Sequence, residues 1–413
     1  MSEDFLRRML PSPGELGKLT GEISKPAYRE ANGHIHTPYS FSAFRNIDEA
    51  MAMAEDEEIK VLGINDFYVT DGYSEFLDKC LENRVFPLFN IEFIGLLKEE
   101  QKKGIRINDP NNPGRIYFTG KGLDFPFHLA PDNVSRLESV KEETQNQLRA
   151  MTGKLNSIIA VANPSVVLDF EMIKRQYAHE LVRERHIAKA LRITAEEHYP
   201  EEDERKEFLE MIYGGKASKA DFGNPASLEN EIRSNLLKAG GRAFVEEDEN
   251  SFMDLGEITG IILDAGGIPC YPVLLDDFSG NCTEFERDFE SLYKALSDMG
   301  VGCIELIPGR NDQAYLEKFV RYFDRREFVV TFGTEHNTPE LTPLAVTARG
   351  EVPLGDSLKQ VAWRGICVIA AHQYLRAHGQ SGYTGENGIA RTQERDTFER
   401  TGRSVIEYFL NIS

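Results

Sequence analysis

Apolar positions along the chain follow two rhythms that take turns. Between Ile47 and Glu57 the residues Ile47, Ala50, Met51 and Ala54 recur at helical spacing, and Ile59-Lys60-Val61-Leu62-Gly63-Ile64 then reads as a buried strand ending at Asn65-Asp66. A second helical run carries Phe76, Leu77 and Cys80, and the apolar run Val85 to Phe89 ends at Asn90-Ile91-Glu92. Two short strands, Ile116-Tyr117-Phe118 and Phe125-Pro126-Phe127-His128-Leu129, are predicted in a stretch rich in Gly, Pro and Asn. Beyond Asp254 the rhythm resumes with helix Leu255 to Asp264, a strand from Ile268 through Tyr271-Pro272, helix Phe285 to Met299, strand Cys303 to Ile307, helix Tyr315 to Phe323 and strand Phe328 to Phe332. Alternation of this kind predicts a parallel sheet with crossover helices, and in parallel barrels the chemistry sits beyond the carboxyl ends of the strands.

From Ser135 to Asp254 the pattern is instead helical and charged, broken near Asn163-Pro164, at Tyr199-Pro200 and between Gly214 and Pro225. The expected organisation is an N-terminal extension over 1–30, with a short helix and the linker Pro11-Ser12-Pro13-Gly14. A barrel follows over 31–134 and 255–345, with a helical insertion over 135–254 and closing helices within 346–413. The closing helices span about Ser357 to His378 and Gln393 to Leu410, separated by the Gly-rich Gly379 to Gly388.

Composition narrows the function classes. With 413 residues, 41% hydrophobic, the chain can bury a large core. Its formal net charge of -21 argues against an extended grip on nucleic acid, which needs clustered Lys and Arg. The five cysteines are scattered without Cys-x-x-Cys spacing, which indicates neither a disulfide framework nor a thiolate zinc site and fits a reducing cytoplasm. The start lacks the apolar core of a signal peptide, and no stretch is long and apolar enough to cross a membrane.

Candidate chemistry gathers at the strand ends. His34 and His36, in Asn32-Gly33-His34-Ile35-His36-Thr37-Pro38-Tyr39-Ser40, point the same way if the run is extended. Two imidazoles so placed suit a metal ion, or two histidines hydrogen-bonded in a polar core. Asp66, Glu92, His128, Glu335 and His336 also fall at predicted strand ends, and a barrel would bring them to one rim. Imidazoles and carboxylates together suit zinc, manganese or iron, and a bridging carboxylate could hold two ions on a phosphoryl oxygen.

In this order the residues resemble the PHP (polymerase and histidinol phosphatase) family of metal-dependent phosphoesterases over roughly His34 to Glu340. The opening His-x-His-Thr-x-x-Ser is matched by His34 to Ser40, the second strand by Gly63-Ile64-Asn65-Asp66-Phe67, and the Gly-Ile-Glu segment by Asn90-Ile91-Glu92. His128-Leu129-Ala130, Arg185-His186-Ile187-Ala188-Lys189-Ala190-Leu191, Ala265 to Pro272 and Gly333 to Asn337 are similar to later segments. The resemblance implies a distorted seven-stranded βα (TIM-like) barrel with an inserted helical subdomain and extra C-terminal helices.

It also implies a first metal site of His34, His36, Glu92 and Glu335, and a second of Glu92 and His128 completed by Tyr271 or His336. Phe41, Phe67 and Asn337 replace ligands of a third, so one or two divalent ions (Zn, Mn or Fe) are expected. Asp66 would act as general base or hold an imidazole, or would simply cap the next turn. Arg310 or Arg45 would orient a phosphate; Arg185 shares that ambiguity. His186, His372 and His378 read as structural or surface residues. The expected activity is phosphoester hydrolysis of a small phosphorylated substrate. The alternatives are a binding or regulatory module without hydrolysis, and metal-dependent chemistry on a non-phosphorylated sugar or carbonyl compound.

Overall fold

The computed structural model describes residues 5–19, 28–179, 181–277, 279–385 and 388–411. Residues 20–27 of the predicted N-terminal extension and 386–387 of the Gly-rich link lie outside them. Seven strands form one sheet in chain order: β1 (Ala31–Ile35), β2 (Val61–Phe67), β3 (Phe86–Leu96), β4 (Arg115–Lys121), β5 (Ile268–Val273), β6 (Cys303–Leu306) and β7 (Val329–Phe332). The sheet curls into a nearly closed barrel. Ile35 bridges to Glu335, and the His36 N–H donates to the Glu335 carbonyl at 2.7 Å. Closure depends on Gly333, where a Cβ would lie 2.3 Å from His34 Cβ.

β1, β2 and β3 are parallel, as are β5, β6 and β7, but β4 runs antiparallel to both its neighbours. The sequence predicts an all-parallel sheet, because a short apolar run carries no mark of direction. β2 and β3 are buried at every position, as strands covered on both faces must be. β3 also continues past Glu92 to Leu96, so Glu92 lies within the strand and not at its end. The predicted strand Phe125 to Leu129 does not form. Its aromatics serve packing instead, with Phe125 stacked on Phe89 at 4.7 Å between centroids.

The flanking helices follow their apolar spacing. Ile47–Asp56 buries Ile47, Ala50, Met51 and Ala54, and its Asn46 cap accepts from the Glu49 N–H. Helices Leu255–Asp264, Phe289–Asp298 and Gln313–Asp324 cover the second half of the sheet. Between β4 and β5 run the helices Pro131–Ala162, Phe170–Tyr177, Glu184–His198, Glu202–Ile212 and Pro225–Ile232, which share an apolar core centred on Leu155, Ile187, Leu191 and Phe208. Helix Asp356–Ala377 is apolar around most of its girth and packs against β1, β3, β7 and the last helix, Arg395–Asn411. Gly402 and Gly365 allow these approaches, since a Cβ at either would meet a backbone carbonyl oxygen within 2.0 Å. Among the described residues, no helix is long and apolar enough to cross a membrane.

Candidate metal centre

Pairing register fixes which side chains enter the barrel. Phe67 pairs with Glu92, Glu92 with Thr119, and Asn90 faces Lys121 through the adjoining pair Ile91 and Gly120. Partners in adjacent strands share a face, so Asn65, Glu92, Thr119, Lys121 and, on β6, Glu305 look inward with His34 and His36. The two imidazoles converge: His34 Nε2 lies 3.2 Å from His36 Nε2, and Glu92 Oε2 lies 3.1 Å from His36 Nε2 and 3.9 Å from His34 Nε2. Among the described residues, this is the one group of His, Cys, Asp and Glu whose ligand atoms come together, all within 4.8 Å of one another, and all three residues are buried.

The far sides of both rings are fastened. His34 Nδ1 lies 3.0 Å from Glu305 Oε2, to which it donates. With Asp66 ionised, Ser40 gives its one proton to Asp66 Oδ1 at 2.6 Å, and His36 Nδ1, 3.2 Å from Ser40 Oγ, is the donor in that contact. Both Nε2 atoms therefore face the centre as lone pairs. Glu92 Oε2 is buried there without a hydrogen bond. Two imidazole lone pairs and a carboxylate oxygen converging in a buried space suit a divalent cation, which would take the place of the proton that burial otherwise invites onto Glu92. The donor set fits such an ion. The Asn65 amide donates to His34 Nε2 at 2.9 Å, with its nitrogen 3.2 Å from Nδ1, a contact that an ion bound at Nε2 would displace.

Electrostatics agree with neutral imidazoles. Burial lowers the His34 pKa, and burial with Arg183 nearby takes His36 well below the ordinary value. Burial raises Glu92 to about 7 against the pull of His34, and raises Asp66 to about 7 against its hydrogen bonds from Ser40 and Thr37. Glu305 behaves oppositely: burial pushes it up, but Lys121 and His34 outweigh that and hold its carboxyl well below the usual range.

The other predicted residues are placed as follows. Asp66 accepts from the Thr37 N–H at 2.7 Å and reaches His36 through Ser40. The Glu335 carboxylate pairs closely with Arg310, while its backbone N–H donates to the His34 carbonyl at 2.9 Å. Glu335 and His336 both hold left-handed backbone, φ 69° and 56°. His336 turns both ring nitrogens away, Nδ1 to Thr334 Oγ1 at 2.9 Å and Nε2 to the Thr342 carbonyl at 2.8 Å, and stacks on Phe44. His128 is exposed, and Arg45 is exposed in an ion pair with Glu49. Tyr271 donates to Glu286 at 2.8 Å. The structure does not bring these last four side chains to the ligand group.

Sequence reasoning missed Glu305, Lys121, Arg183 and Arg349, and gave no role to Asn65 and Ser40, which stood within the matched segments. Glu305 carried a signal, a lone charge inside an otherwise apolar strand. Arg183 lies over Phe67 at 4.5 Å, and Phe67 stacks on His36. Arg349 donates to the Arg310 carbonyl at 2.8 Å and to Asp276 at 2.6 Å, which fixes the loop that carries Arg310.

No protein-family model and no curated protein matches the chain. Among solved structures it is similar to an amidohydrolase from Chromobacterium violaceum with bound sulfate and no metal, at TM-score 0.52 and 15% identity over 81% of this chain and 96% of that one. It is similar also to a protein designated a metal-dependent phosphoesterase from Bifidobacterium adolescentis, at TM-score 0.52 and 14% identity over 82% and 96%. At these identities the likeness is one of fold.

Proposed function

We propose that this chain is a metal-dependent hydrolase of PHP type acting on a small phosphorylated substrate. The observation that carries the reading is the convergence of His34 Nε2, His36 Nε2 and the unpartnered Glu92 Oε2, with both histidines locked from behind. His34, His36 and Glu92 hold the ion, which supplies Lewis-acid polarisation of a substrate oxygen. Asp66 fixes the His36 ring through Ser40. Arg310, paired with Glu335 beside the centre, orients the anionic group of the substrate by a forked contact. The fold shared with a designated phosphoesterase and an amidohydrolase supports hydrolysis in general.

Protein purified without chelator should carry zinc, manganese or iron, and His36→Ala should lose it. A panel of phosphorylated sugars and nucleotides beside their unphosphorylated counterparts tests the substrate class, with Glu92→Gln as the control. Absence of bound metal under every loading condition overturns the reading. Turnover only of unphosphorylated compounds moves the chemistry to a carbonyl or amide.

A second reading, ligand binding without turnover, is favoured by the burial of the centre and by Phe67 stacked on His36. Hydrolysis that depends on Glu92 refutes it.

A further inference from the structure

We propose that the centre takes a single divalent ion and that Lys121 is a built-in second positive charge, standing where a two-ion centre would need its other cation. The inference rests on the reading of His34, His36 and Glu92 as metal ligands. Lys121 is buried inside the barrel, its Nζ 2.6 Å from Glu305 Oε2 and 3.2 Å from Asn65 Oδ1. Glu305 in turn accepts from Thr119 Oγ1 at 2.9 Å and holds His34 at 3.0 Å. The ammonium is thus connected through Glu305 and through Asn65 to the same ring that offers a ligand to the ion.

Two independent features close the centre to a second ion. The side chains that could complete another site are engaged or remote: His336 has both nitrogens bound, Tyr271 donates to Glu286, and His128 is exposed. Charge points the same way: Lys121 and Arg183 already stand with one divalent ion against Glu92, Glu305 and Asp66, while Arg310 pairs with Glu335. A further divalent ion would bring excess positive charge into a buried interior, where an unpaired charge is costly.

The test is stoichiometry, read by native mass spectrometry and elemental analysis on the full chain titrated with Mn2+ and with Zn2+. Wild type should saturate at one ion per chain. Lys121→Ala, which removes the cation from Glu305 Oε2 and the Asn65 oxygen, should take up a second Mn2+, and Lys121→Arg should return to one. Two ions in wild type overturn the proposal and leave the ligand reading standing; no ion in wild type overturns both. A folded Lys121→Ala that still saturates at one also overturns it. Should Lys121→Ala fail to fold, the wild-type and Lys121→Arg stoichiometries decide.

Discussion

The Phe67 ring lies 4.7 Å from the His36 imidazole at an interplanar angle of 23°, and the Arg183 guanidinium lies 4.5 Å from its centre. Phe67 therefore holds His36 from the side while Ser40 holds it from behind. Phe67→Ala should lose about 3–5 kcal/mol of stability, as large-to-small changes at buried aromatics do, and should weaken metal binding by about tenfold or more. Urea unfolding of the chelated protein isolates the first effect, and metal titration reads the second. Unchanged affinity would show that the stack serves the core alone.

Ser40→Ala removes the one group that sets the His36 tautomer without touching a ligand. The fold should survive, because Asp66 keeps its bonds from the Thr37 N–H and hydroxyl, at 2.7 and 2.5 Å. Metal affinity should fall by roughly 10–100-fold, the usual result of losing a group that orients a metal ligand. Ser40→Thr, which keeps the hydroxyl, should recover most of it.

Residues that act through local spacing were legible in the sequence; those that act through distant pairing were not. His34 and His36 share a face because a strand repeats every two residues, and Glu92 could be placed from its apolar run. Glu305 and Lys121 lie 184 positions apart, and only the barrel makes them partners. Glu335 was legible as a strand-end acid, yet the direction of its carboxylate depends on a left-handed backbone that no pattern of apolar positions reports. Phe125 to Leu129 misled because aromatic and apolar residues mark core positions as readily as strands.

Gly333 and Gly260 should respond oppositely to the same change. A Cβ at Gly333 would meet His34 Cβ at 2.3 Å, so Gly333→Ala should force β1 away from β7, lower the unfolding midpoint and disturb the ligand pair. Gly260, mid-helix and exposed, meets nothing within 4 Å, and Gly260→Ala should stabilise by about 1 kcal/mol through helix propensity and a less flexible unfolded chain. Thermal unfolding of the two variants checks the pair, and a tolerated Gly333→Ala would mean that the barrel closes less tightly than described.

His372 gives the fold an acid-sensitive point of its own. Its Nδ1 accepts from the Tyr383 N–H at 2.9 Å and its Nε2 donates to the Gly266 carbonyl at 2.6 Å, so the neutral ring alone satisfies both partners. Burial lowers its pKa to about 4, with Gly266 pulling upward, Arg376 downward and the paired Asp124 upward. Above the unfolded value of 6.5 the ring is neutral in both states and the stabilisation is complete. As pH falls through that value the unfolded chain takes up the proton first, and stability declines until the folded ring titrates near 4, a loss of about 3 kcal/mol in total. Urea midpoints should therefore drop between pH 7.5 and 5.0 by an amount that shrinks in His372→Gln. A ring titration by NMR with its midpoint above pH 6 would remove the basis of this dependence.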